Sequence, residues 1–257
     1  MSEAGPIRVE LHETEGVLEV VLDRPKGNIL DSAMVGALRA DVPAAAADSA
    51  VRAILFRGAG KHFSFGASVE EHRADQVEAM LQGFHGLFRD LLAVRKPLLA
   101  AVRGQCLGGG LELAAFCQRV FAAPETMLGQ PEIVLGVFAP VGSVVLPRRV
   151  GQAHADDLLL SGRSVGADEA LGMGLVDELA DDPREAALAW VGTHLLSKSA
   201  ASLQFAVEGA RYEYARAFLD HIDSLEALYL ERLMKCRDAH EGIDAFLERR
   251  RPAWSHS

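Results

Sequence analysis

The residues best suited to chemistry are three adjacent glycines, Gly108-Gly109-Gly110, with Glu112 just beyond them. They close the run Lys96-Pro97-Leu98-Leu99-Ala100-Ala101-Val102-Arg103-Gly104-Gln105-Cys106-Leu107, which reads as a buried strand and a tight turn into a helix. Glycines at a helix start leave backbone N–H groups bare, and the positive end of the helix dipole points the same way. Such donors suit an oxyanion hole, where they stabilise negative charge developing on an oxygen. Read alone, the segment also suits a tightened strand-to-helix corner or a phosphate site. It is neither a Walker A loop, since no Lys-Ser/Thr pair follows, nor a Gly-x-Gly-x-x-Gly fingerprint.

A second segment, Phe63-Ser64-Phe65-Gly66-Ala67-Ser68-Val69-Glu70-Glu71, follows a buried strand at residues 51–57. Two strand–turn–helix corners with small residues at the turn can supply the two convergent donors that an oxyanion hole needs. A third segment, Gly129-Gln130-Pro131-Glu132-Ile133-Val134-Leu135-Gly136-Val137, places Glu132 in an apolar context, where a carboxylate is held neutral or poised as a base. Other readings stay open on these residues alone. Glu112 also reads as a first-turn carboxylate complementing the dipole, and Glu132 as an exposed loop residue after Pro131.

The elements that must position these groups alternate between strand and helix. Residues 7–11 and 17–22 form a hairpin around Glu13-Thr14-Glu15-Gly16, and Arg24-Pro25-Lys26-Gly27-Asn28 is a loop before a helix over 32–47. Val77, Met80, Leu81, Phe84, Leu87, Phe88 and Leu91 make one apolar helix face. Strands at 98–102 and 119–122 flank the helix that begins at Gly109. The alternation to about residue 180 argues an α/β architecture. From Asp182 onward the pattern is helical, near 184–196, 199–218, 220–236 and 241–250.

Composition narrows the class. The chain has 257 residues, 49% of them hydrophobic, enough for a sizeable core. A net charge of −10, with no basic run beyond Arg249-Arg250-Arg251, disfavours nucleic-acid binding. Cys106, Cys117 and Cys236 are widely spaced and lack a C-x-x-C pattern, which argues against a disulfide framework or zinc site and fits a reduced cytoplasm. Nine histidines show no metal-ligand spacing, so no metal is expected. The N-terminal residues do not read as a signal peptide, and no apolar run approaches the ~18 residues of a membrane span.

At these motifs the chain resembles the crotonase (enoyl-CoA hydratase/isomerase) superfamily. The stretch from Lys96 to Leu113 is similar to its central signature, Phe63 to Ser68 to its first oxyanion segment, and Gly129 to Val137 to its second catalytic segment. Further blocks around residues 161–179 and 241–254 match in order. The resemblance implies a spiral of ββα units over residues 1–181, carrying an acyl-CoA site, and a C-terminal helical oligomerisation region over 182–257 that builds trimers or dimers of trimers. It implies Ala67 and Gly109 as backbone donors to a thioester oxygen, and Glu112 and Glu132 as the general acid–base pair of a hydration. It implies CoA contacts at Arg24, Lys26, Gly66, Ala67, Ser68 and Val69, although Arg24 and Lys26 also read as solvated loop cations. CoA is then part of the substrate, and no separate cofactor is called for.

Two departures from the family pattern matter. Ser68 and Glu70 stand where hydratases commonly carry Asp and Lys, which removes one usual nucleotide contact. Residues 137–143 replace a glycine-rich run, so that Phe138 and Pro140 should give the acyl pocket a flatter, stiffer wall. The wording of this segment, with Leu22 to Leu30, is similar to the family's cyclohexa-1,5-diene-1-carbonyl-CoA hydratases of anaerobic aromatic (benzoyl-CoA) degradation. The expected reaction gives 6-hydroxycyclohex-1-ene-1-carbonyl-CoA. The alternatives are a general short-chain enoyl-CoA hydratase and a non-catalytic RNA-binding or scaffold protein of the same fold.

Overall fold

Every residue of the strand Val17–Leu22 is buried, so this strand is covered on both faces. The reason is visible in its alternation. Leu18, Val20 and Leu22 belong to one apolar cluster and Val17 to another on the opposite face. The next strands repeat the division. Ile54, Phe56, Leu98, Ala100, Val102, Val120 and Ala122 face the first cluster, while Ala53, Leu55, Leu99, Ala101 and Phe121 face the second.

The computed structural model describes residues 5–12, 14, 16–24 and 26–257. Of the expected hairpin turn and following loop, Glu13, Glu15 and Pro25 lie outside the described residues, as do residues 1–4. In chain order the elements are β1 (Ile7–His12), β2 (Val17–Leu22), α1 (Ser32–Ala46), β3 (Ala53–Gly58), α2 (Val77–Val94), β4 (Leu98–Val102), β5 (Gln105–Leu107), α3 (Gly109–Phe116), β6 (Arg119–Ala122) and β7 (Met127–Gly129). They continue with α4 (Pro140–Val150), α5 (Gln152–Ser161), β8 (Ser164–Gly166), α6 (Ala167–Gly172), β9 (Glu178–Leu179), α7 (Pro183–His194), α8 (Ala200–Ala210), α9 (Tyr212–Glu231) and α10 (Arg237–Leu247).

A six-stranded sheet has the order β1-β2-β3-β4-β6-β9, and a three-stranded sheet has the order β5-β7-β8. Only β1 and β2 pair antiparallel in the large sheet. The chain therefore lays a strand in the large sheet, crosses to the small one and returns: β4 is followed by β5, and β6 by β7. That is a spiral of ββα units with helices outside. None of its described helices is long and apolar enough to cross a membrane.

The C-terminal helices cover both faces of the large sheet. Ala187, Leu188 and Val191 of α7 pack on the second cluster, whereas Phe218 and Ile222 of α9 join the first. The α7 contact includes a buried charge: Glu19 on β2 is 1% exposed and accepts hydrogen bonds from Arg184 and Arg57. Burial raises the pKa of this carboxyl, but the two guanidinium groups outweigh it and hold the group at about 2.

Two expectations shift, and three strands went unread. The segment at 63–71 is not a direct strand–turn–helix corner: β3 ends at Gly58 and α2 begins at Val77, with a long loop between them. The helical stretch at 199–236 divides at Arg211, not near residue 219. Phe218 and Ile222 bury as an i, i+4 pair on one continuous helix face, while Gly209 weakens the helix just before the break. The strands β5, β7 and β8 were not legible, being only three residues each, too short to show a period.

Candidate active site

The loop carrying Ala67 is held by side chains, not by a helix. Asn28 donates through Nδ2 to the carbonyls of Ala59, His62 and Phe63 at 3.2, 2.9 and 3.1 Å. Ser64 Oγ donates to Asn28 O at 2.8 Å and accepts from Gly66 N at 3.0 Å. Leu30 N donates to Gly66 O and Leu107 N to Ser64 O, at 2.9 and 3.0 Å, stitching the loop to both neighbouring segments. Gly66 has φ +98°, and a β-carbon there would stand 2.9 Å from Leu107 O and 3.2 Å from Gly109 N. Only glycine allows both the conformation and this approach.

The approach brings together the two expected donors. A β-carbon on Gly109 would lie 3.2 Å from Ala67 N and 2.9 Å from the Phe84 ring. Gly109 is the first residue of α3, where N–H groups have no acceptor within the helix. Among the described residues, neither the Ala67 nor the Gly109 N–H has a hydrogen-bond acceptor. Two free donors on adjoining segments, one at the positive end of a helix dipole, suit an oxygen that gains charge.

The two glutamates flank this point. Glu112, one turn into α3, is 4% exposed and accepts from Gly142 N at 2.5 Å through Oε1. Glu132 lies in the short 3₁₀ turn Pro131–Leu135 that follows β7. Its Oε1 accepts from Gln130 Nε2 at 3.1 Å, and its Oε2 is buried without a partner. Burial raises the Glu112 carboxyl well above the ordinary glutamate range; the neighbouring Glu132 charge adds to this, and the Gly142 N–H opposes it. Burial also lifts Glu132, to about 7, against hydrogen bonds from its own N–H and from Gln130. Burial pushes both carboxyls toward the neutral form, and the repulsion of the Glu132 charge adds to this at Glu112, which suits an acid–base pair.

The other candidate residues divide into two groups. Phe138 is half-buried with its ring centroid 5.4 Å from that of Tyr229. Pro140 is buried as the first residue of α4, so its ring sets the helix start that aims the Gly142 N–H at Glu112. Ser68 and Val69 are half-buried just past Ala67. The Ser68 carbonyl is engaged by His72 Nδ1 at 2.7 Å, and the Val69 side chain packs against a third apolar cluster that contains Tyr229. Arg24 pairs with Asp31 at 3.2 Å, and Lys26 is exposed with φ +68°. Both line a cleft of about 240 Å³ with Lys61 and His62, at the edge of the Ala67 loop.

Three polar groups of the site were not singled out from sequence. Gln130 adjoins Pro131 in a recognised motif but carries no charge pattern of its own, and Gly142 contributes only its backbone. Tyr229 is fully buried among α9 residues whose helical spacing announces only a packed face.

The Enoyl-CoA hydratase/isomerase family model matches residues 12–257. The chain is 51% identical over 257 residues, all of both chains, to the cyclohexa-1,5-dienecarbonyl-CoA hydratase of Thauera aromatica. It is 35% identical to a protein of Rhizobium meliloti named "Probable enoyl-CoA hydratase", over 96% of this chain and 97% of that one. Among solved structures, an enoyl-CoA hydratase from Mycobacterium avium subsp. paratuberculosis K-10 superposes with a TM-score of 0.84 at 26% identity, covering 98% of this chain and 99% of that one.

Proposed function

The chain belongs to the enoyl-CoA hydratase/isomerase family, and on that premise we propose that it hydrates a cyclic dienoyl-CoA. The substrate is cyclohexa-1,5-diene-1-carbonyl-CoA, and we assign 6-hydroxycyclohex-1-ene-1-carbonyl-CoA as the product. The observation that carries this reading is the 51% identity along the whole chain to a hydratase of that thioester, against 35% to an enoyl-CoA hydratase relative.

The site suits the chemistry. The thioester oxygen sits between the Ala67 and Gly109 N–H groups. A water loses a proton to one glutamate as its oxygen bonds to the β-carbon, and the displaced π electrons run to the thioester oxygen as a dienolate. That charge is what the two donors stabilise, typically by several kcal/mol. The second glutamate gives its proton to the far carbon of the diene, and the remaining double bond stays conjugated with the carbonyl. The net change is one added water. We assign the base to Glu132, whose Oε2 has no hydrogen-bond partner among the described residues and is open to a water's proton, and the acid to Glu112, whose Oε1 is engaged by the Gly142 N–H.

For the CoA portion we assign Gly66, Ala67, Ser68 and Val69 to the thioester arm and Arg24 and Lys26, with Lys61 beside them, to the phosphates. An acidic protein needs such local cations to hold a polyanion. No cofactor beyond the substrate's CoA enters this mechanism. We propose a homo-oligomer built on trimers through residues 182–257, a region leaving Phe205 71% and Phe246 54% exposed. The cytoplasm, where the three free thiols stay reduced, is the setting we assign.

The deciding experiment compares kcat/KM for the cyclic dienoyl-CoA, a cyclic monoenoyl-CoA and crotonyl-CoA. The cyclic diene is expected to be the best of the three. A preference for crotonyl-CoA would return the protein to the general short-chain reading.

A further inference from the structure

Among the described residues, three buried side-chain atoms of the site have no hydrogen-bond partner: the Tyr229 hydroxyl, Glu132 Oε2 and Gln130 Oε1. One is a donor and two are acceptors, and leaving such groups dry and unpaired is costly. Tyr229 comes from α9, far along the chain from the other two, and its whole side chain is 0% exposed. It sits in the third apolar cluster together with Val69, two residues past Ala67, and with Leu135, Val137 and Phe138, just past Glu132. Its ring packs against Phe138, centroid to centroid 5.4 Å, in the segment that follows Glu132, and the same cluster takes in Val69 from the Ala67 loop. One helical turn earlier on α9, Glu226 takes a 2.6 Å hydrogen bond with the buried His85 of α2, which fixes the register of the helix and of Tyr229 with it. Burial pushes the phenol pKa up, and the charges of Glu132 and Glu112 push it further, so it remains an O–H donor at neutral pH.

We propose that the Tyr229 hydroxyl is a substrate-contacting group of the acyl site, donating a hydrogen bond to the oxygen that the reaction adds. The proposal rests on the hydratase reading. A water has two hydrogens to give and two lone pairs to fill. Its hydrogens meet Glu132 Oε2 and Gln130 Oε1, Tyr229 fills one lone pair, and the other is left facing the β-carbon. As that carbon–oxygen bond forms, the O–H bond toward Glu132 breaks and its proton stays on the carboxylate. The new hydroxyl of the product keeps the hydrogen bond from Tyr229. The ring substrate makes the contact useful, because a cyclic diene offers carbons in one plane and the water must attack from one face.

The test uses the full-length protein, Tyr229→Phe and Glu132→Gln. Two quantities are read: kcat for the cyclic dienoyl-CoA, and the affinity ratio between the hydroxylated product and cyclohex-1-ene-1-carbonyl-CoA, which lacks the hydroxyl. In the wild type the hydroxylated ligand should bind about tenfold more tightly or better. Tyr229→Phe should lose about tenfold in kcat, with KM and thermal midpoint nearly unchanged, and its affinity ratio should fall toward one. A purely structural tyrosine would not move that ratio. Equal binding of the two ligands by the wild type overturns the proposal, and this measurement decides it even if the variant does not fold. Tyr229→Phe with an unchanged ratio and kcat overturns it as well, while hydration lost in Glu132→Gln alone leaves the hydratase reading standing. A wild type that hydrates none of the thioesters overturns both.

Discussion

Glu132 Oε1 stands 2.6 Å from the point that a β-carbon on Gly108 would occupy. The carboxylate is thus seated on the backbone of the residue before Gly109, whose N–H is one of the two free donors. The proposed acid–base group and the proposed oxyanion donor are placed by one contact. Gly108→Ala should therefore disable the site twice, by expelling the carboxylate and by straining a backbone at φ +51° and ψ −127°. We expect kcat lower by about 10²-fold, with a stability loss of about 1–3 kcal/mol visible in denaturant titration. An alanine variant with native turnover would show that Glu132 need not sit there.

Gly109→Pro removes one donor without evicting a carboxylate. Proline is tolerated at the first position of a helix, so α3 should survive. The added ring meets Phe84 and Ala67, and the N–H is gone. Turnover should disappear. Circular dichroism reports whether the fold persists.

Glu112→Gln and Glu132→Gln should each lower kcat by roughly 10²-fold or more while product affinity changes little. Near-native rates in both variants would exclude the hydration mechanism proposed here.

The same substitution has a pH signature in stability. The folded protein holds the Glu132 proton up to about pH 7, against 4.5 for an ordinary glutamate. The native state then binds more protons than the unfolded state between these values, so this group's contribution to stability falls as pH rises through that window. Glutamine does not titrate. The thermal midpoint of Glu132→Gln relative to wild type should therefore rise between about pH 4 and about pH 8. A flat or falling difference contradicts a carboxyl neutralised by burial.

Phe138 should carry part of the selectivity for a ring. A planar six-membered ring covers the aromatic wall, whereas a four-carbon chain leaves some of it unfilled. Such missing contact is worth about 1–3 kcal/mol, roughly 10–200-fold in kcat/KM. Phe138→Ala should shrink the ratio of cyclic dienoyl-CoA to crotonyl-CoA mainly by weakening the former. Light scattering on the same preparations tests the trimer, which a stable monomer at micromolar concentration would refute.

The large elements were legible because burial writes a period into sequence. Val77 to Leu91 shows the helical period, residues 98–102 are a continuous apolar run, and residues 17–22 are one broken only by Glu19. The glycine triplet and its glutamate were legible because few local structures need three bare N–H groups beside a carboxylate. The short strands of the small sheet were not, since their pairing partners, such as Gln105 with Met127, supply the order that three residues cannot encode alone. The side-chain stitching by Asn28 and Ser64 was equally hidden, because its acceptors lie more than thirty residues away.

The chain by itself determined the family, and its local motifs singled out the two glutamates and the two small-residue segments as candidates. Tertiary structure alone decided how these groups meet. Whether Ala67 N and Gly109 N adjoin depends on the loop after β3 lying against the start of α3, a contact between residues over forty positions apart. The neutral tendency of Glu112 and Glu132 depends on the packing that buries their carboxyl groups next to each other, a property of the fold and not of either residue. Tyr229 shows the limit most plainly. In sequence it is one more residue on an amphipathic helix, and its hydroxyl acquires meaning only when α9 folds back over the spiral and leaves it buried and unpaired, within the electrostatic reach of Glu132 and Glu112.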